Sequence, residues 1–115
     1  MHTPWGASQS VVPLAEGIIS VSTASHGGVK LSPERQRAMP WALAMNEPWY
    51  EEDCDWSLVY LAFEDDIRAY ALAANDQHTP YTLKNLGMAA GFVERWHPGR
   101  LTAFRQYQRD FPKAA

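Results

Sequence analysis

The fold is decided by residues 11–31, which read VVPLAEGIISVSTASHGGVKL. Two runs rich in β-branched residues, 11–14 and 18–23, flank a short segment that contains Gly17. This arrangement predicts a β-hairpin in which Gly17 supplies a positive φ that other residues avoid. Pro13 has no amide hydrogen to donate, so the first run is predicted to form an edge strand or to carry a bulge.

The next segment predicts one more strand and then the first helix. Residues 25–28, SHGG, are typical of a turn, and residues 29–31 are long enough for a short third strand of a β meander. Residues 32–34, SPE, place a capping hydroxyl, a proline and an acidic residue in the order that begins a helix. Because Pro40 interrupts the helical pattern, this helix is predicted to end near Ala38.

Further helices are predicted from apolar residues that recur at helical spacing. They cover residues 56–63, 67–74, 79–96 and 101–110. Asn75 is predicted to terminate the second of these segments. Gly87 and Gly91 are predicted to leave a smooth strip on the third, where another backbone approaches closely.

These patterns predict one α+β domain over residues 1–115, with an N-terminal antiparallel β meander (β-rich residues 1–31) packed against several short helices (residues 32–111). A chain of 115 residues is too short for two separate cores. Cys54 is the only cysteine, which excludes an intramolecular disulfide. There is no signal-peptide pattern, and the longest mostly apolar stretch, Trp56–Phe63, is too short for a bilayer, so a soluble, cytoplasmic protein is predicted.

Charge is unevenly distributed along the chain. Eight acidic residues and no basic residue lie between Glu47 and Asp66. Four of these acids are predicted to lie at the N-terminal end of the helix at 56–63, where the helix dipole stabilises anions. They are Glu51, Glu52, Asp53 and Asp55. This segment predicts either an acidic contact surface for a basic partner or a solvated helix end.

Two residues are candidates for catalysis. His26 lies beside two glycines in a predicted turn, where a ligand can approach the backbone. Cys54 would form a thiolate–imidazole pair with it if the fold brought them together, although the acids around Cys54 raise a thiol pKa. Mixed ligation of a metal by His26 with Glu51, Glu52, Asp53 or Asp55 is the weaker alternative, because no metal-ligand spacing is present. No metal or cofactor is predicted.

The C-terminal part of the chain interleaves arginines with aromatic residues, a pattern that suits nucleic acid. The arginines are Arg95, Arg100, Arg105 and Arg109. A sequence pI of about 5.7 lacks the basic excess of dedicated nucleic-acid binders, so direct binding is the less favoured interpretation. Neither a phosphate-binding glycine loop nor a nucleophile elbow is present.

Three motifs resemble a small-domain family, of unknown activity, encoded by phages, plasmids and other bacterial mobile elements. They are TPWG (residues 3–6), STASHGG (22–28) and WYEEDCDW (49–56). The resemblance covers about residues 3–63 and implies a mobile-element protein in a bacterial host cell. Small proteins in that setting often block host defence by occupying a surface on a defence complex, as anti-CRISPR proteins do, and many of those mimic nucleic acid with carboxylates.

From these features the sequence predicts a mobile-element accessory protein that acts by stoichiometric binding to a host protein or nucleoprotein, such as a CRISPR effector. The acids at 51–55 are the predicted contact surface. The first alternative is a small enzyme that uses His26 with Cys54 or with a carboxylate of that segment. The second alternative is a nucleic-acid module that uses the C-terminal arginines.

Overall fold

The structure is a computed structural model that describes residues 1–112. It has the predicted α+β fold, in which N-terminal antiparallel strands pack with several C-terminal helices. The strands are β1 (His2–Thr3), β2 (Gly6–Ala7), β3 (Ser10–Ala15), β4 (Ile18–Ser22), β5 (Gly27–Leu31) and β6 (Trp49–Glu51). The helices are α1 (Pro33–Ala38), α2 (Trp56–Ala62), α3 (Glu64–Ala74), α4 (Thr79–Trp96) and α5 (Pro98–Asp110).

The main sheet has four antiparallel strands in the order β3-β4-β5-β6. Gly17 joins β3 to β4 with a φ of +79°, as the sequence predicts. Pro13 lies in the edge strand β3, and the register shifts between Pro13 and Ala15, which confirms both a predicted edge position and a bulge. Gly27 and Gly28 belong to β5 rather than to the preceding turn, so the third strand begins earlier than predicted.

The strand β6 is the main correction to the sequence interpretation. Residues 49–51 pair with residues 28–30 of β5, whereas the acids of this segment were expected at a helix end. The helix α2 begins at Trp56, as predicted, and Asp55, at its N-cap, makes no capping hydrogen bond with its side chain. Tyr50 anchors the strand, because its buried hydroxyl donates to Gln36 and accepts from the Met45 amide. The pairing with β5 overrides the local helical pattern.

Several helix ends follow local signals, whereas α3 and α5 each begin three residues earlier than predicted. The Ser32 hydroxyl accepts from the Arg35 amide and caps α1, as predicted. Asn75 ends α3 in the left-handed conformation at φ 46°, also as predicted. Thr79 is the first residue of α4, and its hydroxyl donates to the Ala71 carbonyl of α3.

The core lies between the sheet and the helices. It joins apolar side chains of the strands, such as Ile18 and Leu31, to Leu58 of α2 and Val93 of α4. Gly87 and Gly91 do not provide the predicted close approach, because both are exposed and a side chain at either position would meet open space. No helix within residues 1–112 combines the length and the apolar character needed to cross a membrane.

Candidate functional site

Three consecutive acids form an exposed corner at the end of β6. Glu51 closes the strand and Glu52 and Asp53 begin the turn that leads to α2; we call Glu51, Glu52 and Asp53 the acidic corner. The side chains of Glu51 and Glu52 are 39% and 51% exposed. The backbone amide of Glu52 donates to the Gly27 carbonyl, which fixes the corner against the start of β5.

His26 lies between two of these carboxylates. Its Nε2 atom is 3.2 Å from Glu51 Oε1, and its Nδ1 atom is 3.1 Å from Glu52 Oε1. Its backbone is held by Thr23, whose hydroxyl accepts from the His26 amide and donates to the His26 carbonyl. The sequence placed His26 in a turn next to the strand end. The fold brings it into contact with Glu51 and Glu52, two of the acids predicted to form the contact surface.

The contacts shift the protonation of His26. The hydrogen bond with Glu52 raises the pKa of His26 above its ordinary value, burial opposes this, and the charges of Glu51 and Asp53 reinforce it. Burial, and then a hydrogen bond with Asp53, raise the pKa of Glu51. Protonated His26 therefore offsets part of the negative charge of the acidic corner at lower pH.

Two aromatic rings pack beside the corner, Trp5 from the turn between β1 and β2 and Trp49 from β6. Trp5 contacts Trp49 edge-to-face at a centroid distance of 5.5 Å and lies 6.3 Å from His26. Its ring packs on Gly28, where an added Cβ would come within 2.5 Å of it. The TPWG motif therefore places a ring behind His26, a contact that sequence patterns within one segment do not reveal.

Asp55 does not belong to the exposed corner. Its carboxylate is only 17% exposed, and its Oδ1 atom lies 3.0 Å from Nε2 of His97. The same oxygen lies 3.4 Å from the Sγ atom of Cys54. His97 was assigned no role from the sequence, since it comes from the junction of α4 and α5, far along the chain.

Cys54 is not placed for nucleophilic chemistry with His26. Burial, followed by the charge and hydrogen bond of Asp55, raises the pKa of Cys54 to about 11. His26 instead contacts Glu51 and Glu52, and within residues 1–112 no hydrogen bond joins it to Cys54. The thiol therefore remains protonated near neutral pH.

Two groups of side chains offer atoms close enough to share one metal ion. Cys54, Asp55 and His97 form the half-buried group, and their possible ligand atoms lie within 4.8 Å of one another. His26, Glu51 and Asp53 form a second, more exposed group by the same measure. Each group already contains an imidazole–carboxylate contact, His97 with Asp55 in the first and His26 with Glu51 in the second.

The four C-terminal arginines make different kinds of contact. Arg100 donates from Nη1 to the carbonyls of Ala42 and Ala44, so it ties α5 to the loop before β6. Arg105 and Arg109 are exposed and bond to glutamines on their own helix. Arg95 lies over the ring of Trp96 at 5.3 Å, on α4.

Comparison with known proteins gives a family and no function. The profile of DUF7007, described as a domain of unknown function, matches residues 1–111. No curated protein matches the chain, and no solved structure does.

Proposed function

The chain belongs to the DUF7007 family, and we propose that it is a mobile-element accessory protein that binds the basic surface of a host protein or nucleoprotein in a stoichiometric complex. A CRISPR effector is a partner of this kind. The acidic corner, Glu51, Glu52 and Asp53, is the proposed contact surface. Asp55 is left out of this surface because it is largely covered and is paired with His97.

The observation that carries this proposal is the geometry of the acidic corner. Three adjacent carboxylates project from a fixed strand end, and no lysine or arginine occurs between residues 47 and 66. Among residues 1–112, His26 is the ion-pair partner of Glu51 and Glu52, and it carries a positive charge only when protonated. A concentrated negative potential of this kind attracts and orients a basic partner.

Capture of a partner from a bacterial host tests the proposal. The tagged chain is expected to retain a protein or nucleoprotein at one-to-one stoichiometry, identified by mass spectrometry. The double variant Glu51→Lys/Asp53→Lys is expected to lose it. The control Glu16→Lys/Glu94→Lys makes the same change of charge at two exposed acids elsewhere and is expected to retain the partner.

Retention of the partner by the Glu51→Lys/Asp53→Lys variant would exclude the acidic corner as the contact surface. The circular dichroism spectrum and the unfolding midpoint of each variant are measured alongside, so that a loss of capture is not confused with a loss of folding. Capture of no partner by the native chain would contradict the binding proposal itself.

The second candidate is an enzyme in which His26 acts as a general base with Glu52. The 3.1 Å contact between His26 Nδ1 and Glu52 Oε1 favours it, because a carboxylate orients an imidazole for proton transfer. In this candidate, Nε2 exchanges its contact with Glu51 for the substrate. Cys54 has no part in this version, since its thiol stays protonated. An enzyme inactivates many target molecules, whereas the proposed binder titrates its target one for one.

A further inference from the structure

A cleft of about 410 Å³ lies between one end of the main sheet and the helices α2 and α4. This is within the size range of specific ligand sites, roughly 300–1,000 Å³. Its main lining groups are aromatic rings of the two helices and polar side chains of β4 and of the acidic corner. We call it the aromatic cleft, and the residues used below are Ser20, Ser22, Glu52, Trp56, Tyr60, Tyr81, Asn85 and Phe92.

The walls of the aromatic cleft are rings held in fixed positions. Trp56 contacts Tyr60 edge-to-face at 5.1 Å and Phe92 at 5.0 Å between ring centroids. Tyr60 is buried, and Asn85 hydrogen-bonds with its hydroxyl. Tyr81, in contrast, is 69% exposed and stands at the mouth. The ring faces therefore line a space that opens to solvent at one side.

A carboxylate belongs to the same cleft. Glu52 lines it and is exposed, and only its Oε1 atom contacts His26. Within residues 1–112 the structure gives the second oxygen, Oε2, no hydrogen bond. Ser20 and Ser22 add hydroxyls from β4. Aromatic faces together with one carboxylate are the groups that recognise an organic cation.

We infer that the aromatic cleft receives an arginine side chain of the partner. The guanidinium plane lies against the rings of Trp56 and Tyr81 and donates to Glu52 Oε2. Arginine fits better than lysine because its planar, weakly hydrated head stacks on rings and donates in a fixed fork. This inference rests on the proposed function, since it adds an anchoring side chain to a partner already drawn to the acidic corner.

The test uses the full chain labelled with ¹⁵N and the peptide acetyl-Gly-Arg-Gly-amide at millimolar concentrations. Saturable shifts are expected for the Trp56 indole and the Asn85 side-chain amide. The peptide with citrulline, which has the shape of arginine without its charge, is expected to bind at least tenfold more weakly. The lysine peptide is expected to lie between the two. Equal binding of the citrulline peptide, or no saturable shift with arginine, would overturn the inference.

Variants locate the site. Tyr81→Ala is expected to lower the affinity for the arginine peptide roughly fivefold, the size of an exposed cation–π contact. Trp41→Ala removes a ring of similar exposure, 72%, that lies outside the cleft. It is expected to leave the affinity for the arginine peptide unchanged. An unchanged affinity in Tyr81→Ala would overturn the assignment of the cleft. Both positions are exposed, so neither variant is expected to unfold the chain.

The outcomes separate this inference from the proposed function. If Glu51→Lys/Asp53→Lys abolishes capture of the partner while Tyr81→Ala leaves it unchanged, binding at the acidic corner stands and the arginine site is wrong. If the arginine peptide saturates the cleft while no partner is captured, the arginine site stands and the proposed function is wrong.

Discussion

His97 Nε2 lies 3.0 Å from Asp55 Oδ1, so a side chain from the α4–α5 junction meets the N-cap residue that precedes α2. Both side chains are mostly covered, at 21% and 17% exposed. The contact fixes the end of the turn that carries the acidic corner, because Asp55 follows Asp53 by two residues. It is therefore a structural support for the proposed surface.

Removal of this contact is expected to lower the free energy of unfolding. The variant His97→Ala leaves the carboxylate of Asp55 covered and without its partner, which costs about 1–3 kcal/mol. Urea denaturation followed by circular dichroism measures the loss. His78→Ala removes an exposed histidine in a loop and is the control, with an expected change within about 0.5 kcal/mol. Equal losses in the two variants would contradict the role of the Asp55–His97 contact.

Two glycines are expected to respond in opposite ways to alanine. At Gly28 the new methyl group would meet the carbonyl oxygen of Tyr50 and the ring of Trp5, so Gly28→Ala is expected to destabilise the fold by about 1–3 kcal/mol. At Gly87 it would meet open space on α4, so Gly87→Ala is expected to stabilise by about 0.5–1 kcal/mol. Thermal unfolding measures both changes. A loss of stability in Gly87→Ala would show that the open surface of α4 is covered in solution.

Local chemistry explains why much of the fold was predictable. Gly17, Ser32 and Asn75 each act through conformations or hydrogen bonds within a few residues, and all three were found where the sequence placed them. The strand β6 was missed because its identity depends on pairing with β5, which lies far away in sequence. Without that pairing, four acids before an apolar helix indicate a helix end.

Like the fold, the candidate site has parts that local sequence predicts and parts that depend on contacts between distant segments. His26 and the acids were singled out from residue type alone, and the fold brings His26 into contact with Glu51 and Glu52. The aromatic cleft was not predictable, because it needs β4, α2 and α4 to meet. The covering of Asp55 was not predictable for a related reason: its partner His97 reaches it only through the packing of α2 against α4.

Cys54 is expected to react slowly with alkylating reagents. Its pKa is raised to about 11 from 9.0, so at pH 8 the thiolate is roughly 100-fold rarer than in an unperturbed cysteine. Iodoacetamide is expected to modify the folded chain about 100-fold more slowly than a cysteine peptide in the same buffer. The same chain in urea is the control and is expected to react at the rate of the peptide. A folded chain that matches the peptide would restore Cys54 as a candidate nucleophile.

The titration of His26 is expected to depend on Glu52. Their hydrogen bond is the largest cause of the raised pKa of His26, so Glu52→Gln is expected to lower that pKa towards 6.5, as measured by NMR. Glu94→Gln neutralises an exposed acid elsewhere and is expected to leave it unchanged. A pKa of His26 that is the same in Glu52→Gln as in the native chain would show that this hydrogen bond does not hold in solution.

The raised pKa of His26 also predicts how the affinity for a basic partner changes with pH. A raised pKa means that the contacts of His26⁺ stabilise the fold below pH 6.5 and that this contribution is lost as the pH rises through the folded pKa. Over that interval the acidic corner loses the positive charge of His26. Affinity for a basic partner is therefore expected to increase as His26 deprotonates, and His26→Gln is expected to flatten this dependence. Affinity that falls as the pH rises through the His26 pKa would show that the partner contacts the imidazolium rather than the carboxylates.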